Sequence, residues 1–429
     1  MLAYSRVISS GLLVVLAAAC SNGHPPRRTD REVGSGAPVA ATPTPPTPPP
    51  PPPAPAAPWY RATLDYGSNG ELPFFLQLPD RAGEGTIKNG AEAVPVDVTW
   101  NGDAVKLAFR WNWTAEITAK RQPDGTLRGT WVRDTPLWGS VERSFTAKRV
   151  DQPTPTARFA GDAPAAVNVT GTWRFHFKEL ELGIGELVQS SDGSVTGYIR
   201  PGTMGDARFL AGEVQGNKLA LSSFNGNLAD LFTAVVAADG HKMSRGLLSV
   251  ENVFTDSFTA EKVDGLAYVN RVKLKKGKTR LTHVPGLEKY AGKPLVLICF
   301  ATWCHACHDA TPFMVELYKK YKDRGLQFLS VSYDLSEDQH EIDAELAKYK
   351  QQYGIEWEAT ALPTTPQAWE AAMPPEVEGW DGYPITAFIN ADGTVHAIYG
   401  GWFSAAAPQE QARLKAQFDQ WAAELLPPT

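Results

Sequence analysis

Two octapeptides, Ser144 to Asp151 (SFTAKRVD) and Ser257 to Asp264 (SFTAEKVD), are nearly identical, and each is preceded by an Asp-Gly turn and an Arg-Gly pair. The pairs are Asp124-Gly125 with Arg128-Gly129, and Asp239-Gly240 with Arg245-Gly246. Self-similarity at this spacing marks a duplicated unit whose copies fold alike. Around both copies apolar and polar residues alternate, as in Ala104-Val105-Lys106-Leu107-Ala108-Phe109-Arg110-Trp111, with further turn pairs at Asn101-Gly102 and Asp192-Gly193. A period of two with no helical period predicts half-buried strands, so residues 59–266 are expected to form a duplicated all-β module with repeats at about 59–151 and 171–264. Closed together, the copies make a sandwich or a barrel; side by side, they make two small antiparallel domains, and both remain open. Trp100, Trp111, Trp113, Trp131 and Trp173 are assigned to core packing ahead of a ligand cavity.

Ahead of this module lie segments that cannot build a core. Arg6 precedes an apolar stretch from Val7 to Ala19 that is too short to span a bilayer and is followed by Cys20. This reads as an export signal. Leu16-Ala17-Ala18-Ala19-Cys20 resembles the bacterial lipoprotein signal, although Ala17 stands where that pattern prefers Leu. The resemblance implies that 1–20 is a signal peptide, that Cys20 is lipidated, and that Ser21 directs the chain to the outer membrane. Plain cleavage after Ala17-x-Ala19, giving a soluble exported protein, is the alternative. Residues 21–58 carry almost no large apolar groups and end in the tract Pro43 to Pro58, read as a disordered, polyproline-rich spacer.

From 267 to 429 the periodicity changes to alternating strands and helices. Leu295 to Ala301 and Leu326 to Tyr333 read as strands buried on both faces, and Thr311 to Arg324, Glu337 to Tyr353 and Gln409 to Leu425 as helices. Ile385 to Asn390 and Thr394 to Tyr399 read as a hairpin across Ala391-Asp392-Gly393. An α/β domain with a parallel sheet and a terminal antiparallel hairpin follows.

The chemistry concentrates in Thr302-Trp303-Cys304-His305-Ala306-Cys307-His308, at the step from buried strand to helix. Unpaired N–H groups and the positive dipole end of a helix N-terminus stabilise a thiolate, which makes Cys304 the nucleophile. Cys307, one turn on, is placed to resolve a mixed disulfide. His305 between the cysteines is a candidate to stabilise the Cys304 thiolate, and His308 a candidate proton shuttle. For both histidines the plain alternative is exposure on the first helical turn. Tyr383-Pro384 precedes a strand, where a cis bond would expose backbone groups to an extended substrate, and an ordinary trans proline is the plainer reading.

Gly292 to Met314 (GKPLVLICFATWCHACHDATPFM) and Gly382 to Gly393 (GYPITAFINADG) resemble the TlpA/ResA-type branch of the thioredoxin superfamily. The resemblance implies a multidomain chain in which an all-β module precedes an α/β thioredoxin-like domain. It also implies a catalytic set of Cys304, Cys307, Pro384, Trp303 and His305, a cis Pro384, and Pro312 inside the helix after the second cysteine. The implied activity is thiol-disulfide exchange with exported proteins that carry disulfides or thiols. The direction is usually reductive, fed by a membrane electron donor, in the periplasm or cell envelope. One departure is Ile298, six positions before Cys304, where the superfamily often has an acidic proton relay.

Other chemistries compete. Cys304-His305-Ala306-Cys307-His308 also spells the C-x-x-C-H signal of a c-type haem electron-transfer protein with His308 as ligand. A peroxiredoxin-like peroxide reductase shares the fold, but it needs a single cysteine and not a pair. A third reading is an envelope ligand-binding protein whose thiol domain senses redox state. Cysteines and histidines on one helical turn lack the separated ligand pairs of a zinc site, so no metal and no cofactor is expected. With a net charge of −6, the basic run Arg271 to Arg280 reads as a half-exposed strand or domain junction, and nucleic acid is excluded as a partner.

Overall fold

The computed structural model describes residues 57–427 apart from 110–113, 136–138, 160, 162, 202–204, 206, 266–269, 366–372 and 381. The expectations for 1–20, for most of 21–58, for Cys20 and for Trp111 and Trp113 lie outside the described residues.

Each β-rich repeat closes into a barrel of eight strands. The first runs β1 (Trp59–Asp65), β2 (Glu71–Gln77), β3 (Gly83–Asn89), β4 (Glu92–Asn101), β5 (Ala104–Ala108), β6 (Ala115–Arg121), β7 (Leu127–Thr135) and β8 (Gly139–Val150). Every sequential pair is antiparallel, and β8 returns to pair with β1 from Trp59↔Val150 to Leu64↔Phe145. The second barrel repeats the plan with β9 (Gly171–Phe177), β10 (Leu182–Gln189), β11 (Ser194–Pro201), β12 (Ala207–Gln215), β13 (Lys218–Phe224), β14 (Ala229–Val236), β15 (Lys242–Val250) and β16 (Phe254–Val263). It closes through β16 on β9. Closure removes the exposed sheet edges that two isolated meanders would have carried.

The repeated octapeptide explains itself in the two last strands. Phe145 and Ala147 in β8, and Phe258 and Ala260 in β16, all point into their barrels and are buried. Trp131 and Trp173 are fully buried, so these rings are core. The copies diverge one residue before the repeat. In β8 that residue is Arg143, which donates to Glu251 O of the second barrel at 2.9 Å. In β16 it is Asp256, whose carboxylate accepts from the backbone N–H groups of Lys178, Glu179 and Leu180 and locks its own β9–β10 turn. Asp256 is 2% exposed, and Asp256→Ala would take the acceptor away from the Glu179 and Leu180 N–H groups, while Lys178 N–H keeps Ser257 O at 3.0 Å. A loss of about 1.5–3 kcal/mol is expected, read as a lowered urea midpoint at unchanged slope.

The barrels interlock. The β13–β14 hairpin of the second inserts Phe224 among the interior side chains of the first, 4.3 Å from the Phe74 ring and 5.5 Å from Trp131. Asn89 clamps the backbone of Phe224, and Trp131 Nε1 donates to Gly226 O at 2.9 Å. Beside this plug Arg133 pairs with Glu251 and donates to Asn227 O, with both side chains almost wholly buried.

The C-terminal region is thioredoxin-like. After β17 (Lys273–Leu274) come β18 (Leu295–Phe300), α1 (His305–Tyr321), β19 (Gln327–Asp334), α2 (Gln339–Tyr353), β20 (Glu358–Pro363), β21 (Val377–Glu378), β22 (Ile385–Ile389), β23 (Val395–Gly400) and α3 (Pro408–Glu424). The sheet order is β20-β19-β18-β22-β23, parallel among the first three and antiparallel at β22 and β23. β18 is buried at every residue, as a central strand between two helical layers must be. Two expectations need correction. α1 begins at His305 rather than Thr311, because Cys304 caps it there and the polar first turn hides the apolar period. β20 was not anticipated, since its half-exposed pattern is that of an edge strand. Among the described residues no helix is long and apolar enough to cross a membrane.

Candidate active site

β18 ends at Phe300, and the chain turns through Thr302 and Trp303 into α1. Cys304 is the N-cap, in extended backbone, and its Sγ accepts from Cys307 N–H at 3.2 Å. Cys304 and Cys307 form a disulfide across a Cα separation of 5.2 Å. Cys304 keeps 7% exposure and Cys307 only 1%, so attack from outside reaches Cys304. On reduction, the Cys304 sulfur remains where the N–H groups of the first turn converge, which favours the thiolate.

Opposite the disulfide, the Tyr383-Pro384 bond is cis. Tyr383 O lies 3.5 Å from Cys304 Sγ. β22, which follows Pro384, is hydrogen-bonded to β18 with Cys299 opposite Ile385, and this pairing brings two distant sequence motifs together. Trp303 donates Nε1–H to Tyr333 O at 3.3 Å and meets the Tyr383 ring edge-on at 6.0 Å. Trp380 and Tyr333 also contact Tyr383, so the cysteines sit beside a group of four aromatic rings.

The two histidines differ from the sequence-based expectation. Neither is simply exposed. His305 Nε2 is shut off from solvent, and burial, with Arg208 nearby, holds the imidazole well below its ordinary pKa. With the Cys304–Cys307 bond formed, His305 is therefore uncharged at neutral pH. His308 is pulled down to about 4 by burial. Its Nε2 lies 2.8 Å from Thr302 O and its Nδ1 2.7 Å from the Tyr353 hydroxyl, which assigns the proton to Nε2 with Tyr353 donating to Nδ1. Both nitrogens are engaged within the fold, and this disfavours His308 as a haem ligand and as a base near neutral pH.

Sequence reasoning missed Asp334, at the end of β19. It is 3% exposed, and its Oδ1 accepts from Thr302 N–H at 2.9 Å and from Thr302 Oγ1 at 2.7 Å, while Ser332 Oγ donates to Oδ2 at 2.7 Å. Burial raises its pKa. An acidic residue closing an otherwise apolar strand (LQFLSVSYD) was the available signal. Asp334 fixes the turn that delivers Cys304. Asp334→Ala is expected to cost about 1–3 kcal/mol, because it orphans a buried N–H and two hydroxyls; chemical denaturation of the reduced and oxidised protein checks this. Ile298 is buried and apolar, as its sequence implies. Cys299 is 2% exposed, and burial pushes its thiol up to about 12, so it is inert as a nucleophile. Among the described residues no group of His, Cys, Asp or Glu is arranged to hold a metal ion.

A sequence model of the AhpC/TSA family matches residues 272–409, about a third of the chain. The thiol-disulfide oxidoreductase ResA of Bacillus thuringiensis (strain Al Hakam) is 32% identical over 71 residues, 17% of this chain and 38% of that protein. ResA of Geobacillus kaustophilus (strain HTA426) is 40% identical over 50 residues, 12% of this chain and 29% of that protein. The chain thus spans well under half the length of the curated relatives it matches. Among solved structures, a thiol:disulfide interchange protein of Chlorobium tepidum TLS is 26% identical, covering 33% of this chain and 84% of its own, with a TM-score of 0.25. A putative DsbE from Chlorobium tepidum is 24% identical, covering 35% of this chain and 100% of its own, also with a TM-score of 0.25.

Proposed function

We propose that the chain is an envelope thiol-disulfide oxidoreductase that reduces disulfides of exported proteins through Cys304 and Cys307. The observation that carries this reading is the Cys304–Cys307 bond at the first turn of α1, with the outer sulfur at the helix cap and the inner one buried. In the reduced protein the Cys304 thiolate attacks one sulfur of a substrate disulfide. A new S–S bond forms, the substrate bond breaks, and its other sulfur leaves as a thiolate. Cys307, as thiolate, then attacks Cys304 Sγ and releases the second substrate thiol. The substrate gains two electrons and Cys304–Cys307 loses them. A membrane electron donor would restore the dithiol. Lipidation of Cys20, with 21–58 as a spacer, would hold the catalyst to the outer membrane facing the periplasm.

The pair itself argues against a peroxide reductase, which would not need a second cysteine one turn away. The plugging of the first barrel by Phe224 argues against ligand binding there. Equilibration of the purified chain with dithiothreitol or glutathione, read by thiol alkylation and mass, tests the reading. A single two-electron couple on Cys304 and Cys307 is expected, with a potential near about −270 mV for a reductase; a value above about −150 mV would assign an oxidant. A pair that stays fully alkylatable under every poise would overturn the reading.

A further inference from the structure

The dipeptide between the cysteines lies against the second barrel, which meets both rims of the site. At the α1 rim a Cβ built on Gly205 would stand 3.0 Å from Ala306 Cβ. There Arg208 of β12 donates from Nη1 to both carboxylate oxygens of Asp309 and places Nη2 3.2 Å from Glu92 of the first barrel. One guanidinium thus ties both barrels to the redox helix. At the other rim the fully buried Arg200 of β11 donates to Gly400 O at 3.2 Å and lies 4.3 Å from the Phe403 ring centroid. Tyr198 meets the same ring edge-on at 6.3 Å. Between Gly400 and Phe403, Gly401 N–H donates to Pro384 O at 2.7 Å, so this contact backs directly onto the cis peptide.

A folded protein that offers a surface disulfide brings its own bulk up to the reacting sulfur and needs clear area around it, even where the contact is as small as redox encounters allow. An extended segment needs only main-chain pairing beside Tyr383 and room for one sulfur. The barrel's contacts at both rims occupy area that the first would use, while Tyr383 O, beside which the second would pair, stays 3.5 Å from Cys304 Sγ. We propose that the second barrel is a fixed wall of the substrate groove that selects disulfides carried on extended polypeptide segments against those on rigid folded surfaces. Arg208 is the positioning residue that fixes the wall. This selectivity rests on the thiol-exchange reading above and assigns its substrate class.

Two probes with the same reactive bond test it on the reduced full chain: a linear cysteine peptide carrying a thionitrobenzoate mixed disulfide, and a folded carrier protein with that mixed disulfide on a surface cysteine. Both react with one thiolate, so changes in its ionisation cancel in the ratio of rates. The native chain is expected to prefer the peptide by about tenfold or more. Arg208→Ala, and independently Asp309→Asn, are expected to lower that preference about threefold or more by speeding the carrier, with the peptide rate nearly unchanged. Loss of the peptide rate marks a misfolded variant, and the other variant then decides. A native ratio near one, or a ratio unmoved in the folded variants, overturns the selectivity. Failure of both probes with the native chain overturns thiol exchange itself.

Discussion

Cys304→Ser is expected to lower the rate of reduction of a small aromatic disulfide by about three orders of magnitude or more, to the level of buffer alone. The size of the effect follows from the site. A serine hydroxyl at the cap stays protonated at neutral pH and is a poor nucleophile toward sulfur, whereas the thiolate is stabilised by the N–H groups of the first turn of α1. Among the described residues no other cysteine replaces it: Cys299 is buried between helical layers with its thiol pushed up to about 12, and Cys307 is 1% exposed. Cys307→Ser is expected to behave differently. The first attack proceeds in a single burst and turnover then stops, because nothing within reach resolves the mixed disulfide. Stopped-flow release of the coloured thiolate separates the two outcomes. A Cys304→Ser rate within tenfold of the native one would remove Cys304 from the mechanism.

Arg133→Met is expected to cost about 3–5 kcal/mol at pH 8, as removal of one partner from a buried charge group does. Arg133 is the cation of a buried group that includes Glu251 and Asp230, the latter pushed up to about 7 by burial against the opposing pull of Arg133. Burial also outweighs Arg133 at Glu251, which stands at about 8. Both carboxyl groups thus have folded pKa values above their unfolded ones near 4. Their contribution to stability is complete at low pH and is lost as pH rises through about 7 to 8. Without Arg133 both must stay protonated to remain buried, so the penalty grows with pH at up to about 1.4 kcal/mol per unit for each group. Urea titrations of native and variant chains at pH 5 and pH 8 check this. A difference that is equal at the two pH values, or larger at pH 5, contradicts the account.

The all-β character of the repeats was legible because alternation and Asp-Gly turns are local signals, and the redox pair because its spacing and its place after a buried strand are local too. Barrel closure was not. It depends on β1 meeting β8 and β9 meeting β16 across the whole length of a repeat, and no window of sequence records that pairing. The insertion of Phe224 into the first barrel is likewise invisible, since an apolar residue at a hairpin end looks the same whether it faces its own core or another's. At the site, sequence placed Cys304, Cys307, Trp303 and Pro384 on segments that the fold brings together. It did not show that the histidines are buried, because Arg208, whose charge bears on His305, lies about a hundred residues upstream. Asp334 was passed over because a single carboxylate after an apolar strand carries no spacing signal, although three hydrogen bonds make it the support of the Cys304 turn.

The most direct test of the central claim is to map the adduct that reduced Cys307→Ser forms with a disulfide-bearing peptide. Peptide mapping by mass spectrometry is predicted to find the added mass on Cys304, at one equivalent per chain, releasable by dithiothreitol. An adduct on Cys299, or no adduct at all, would contradict the account.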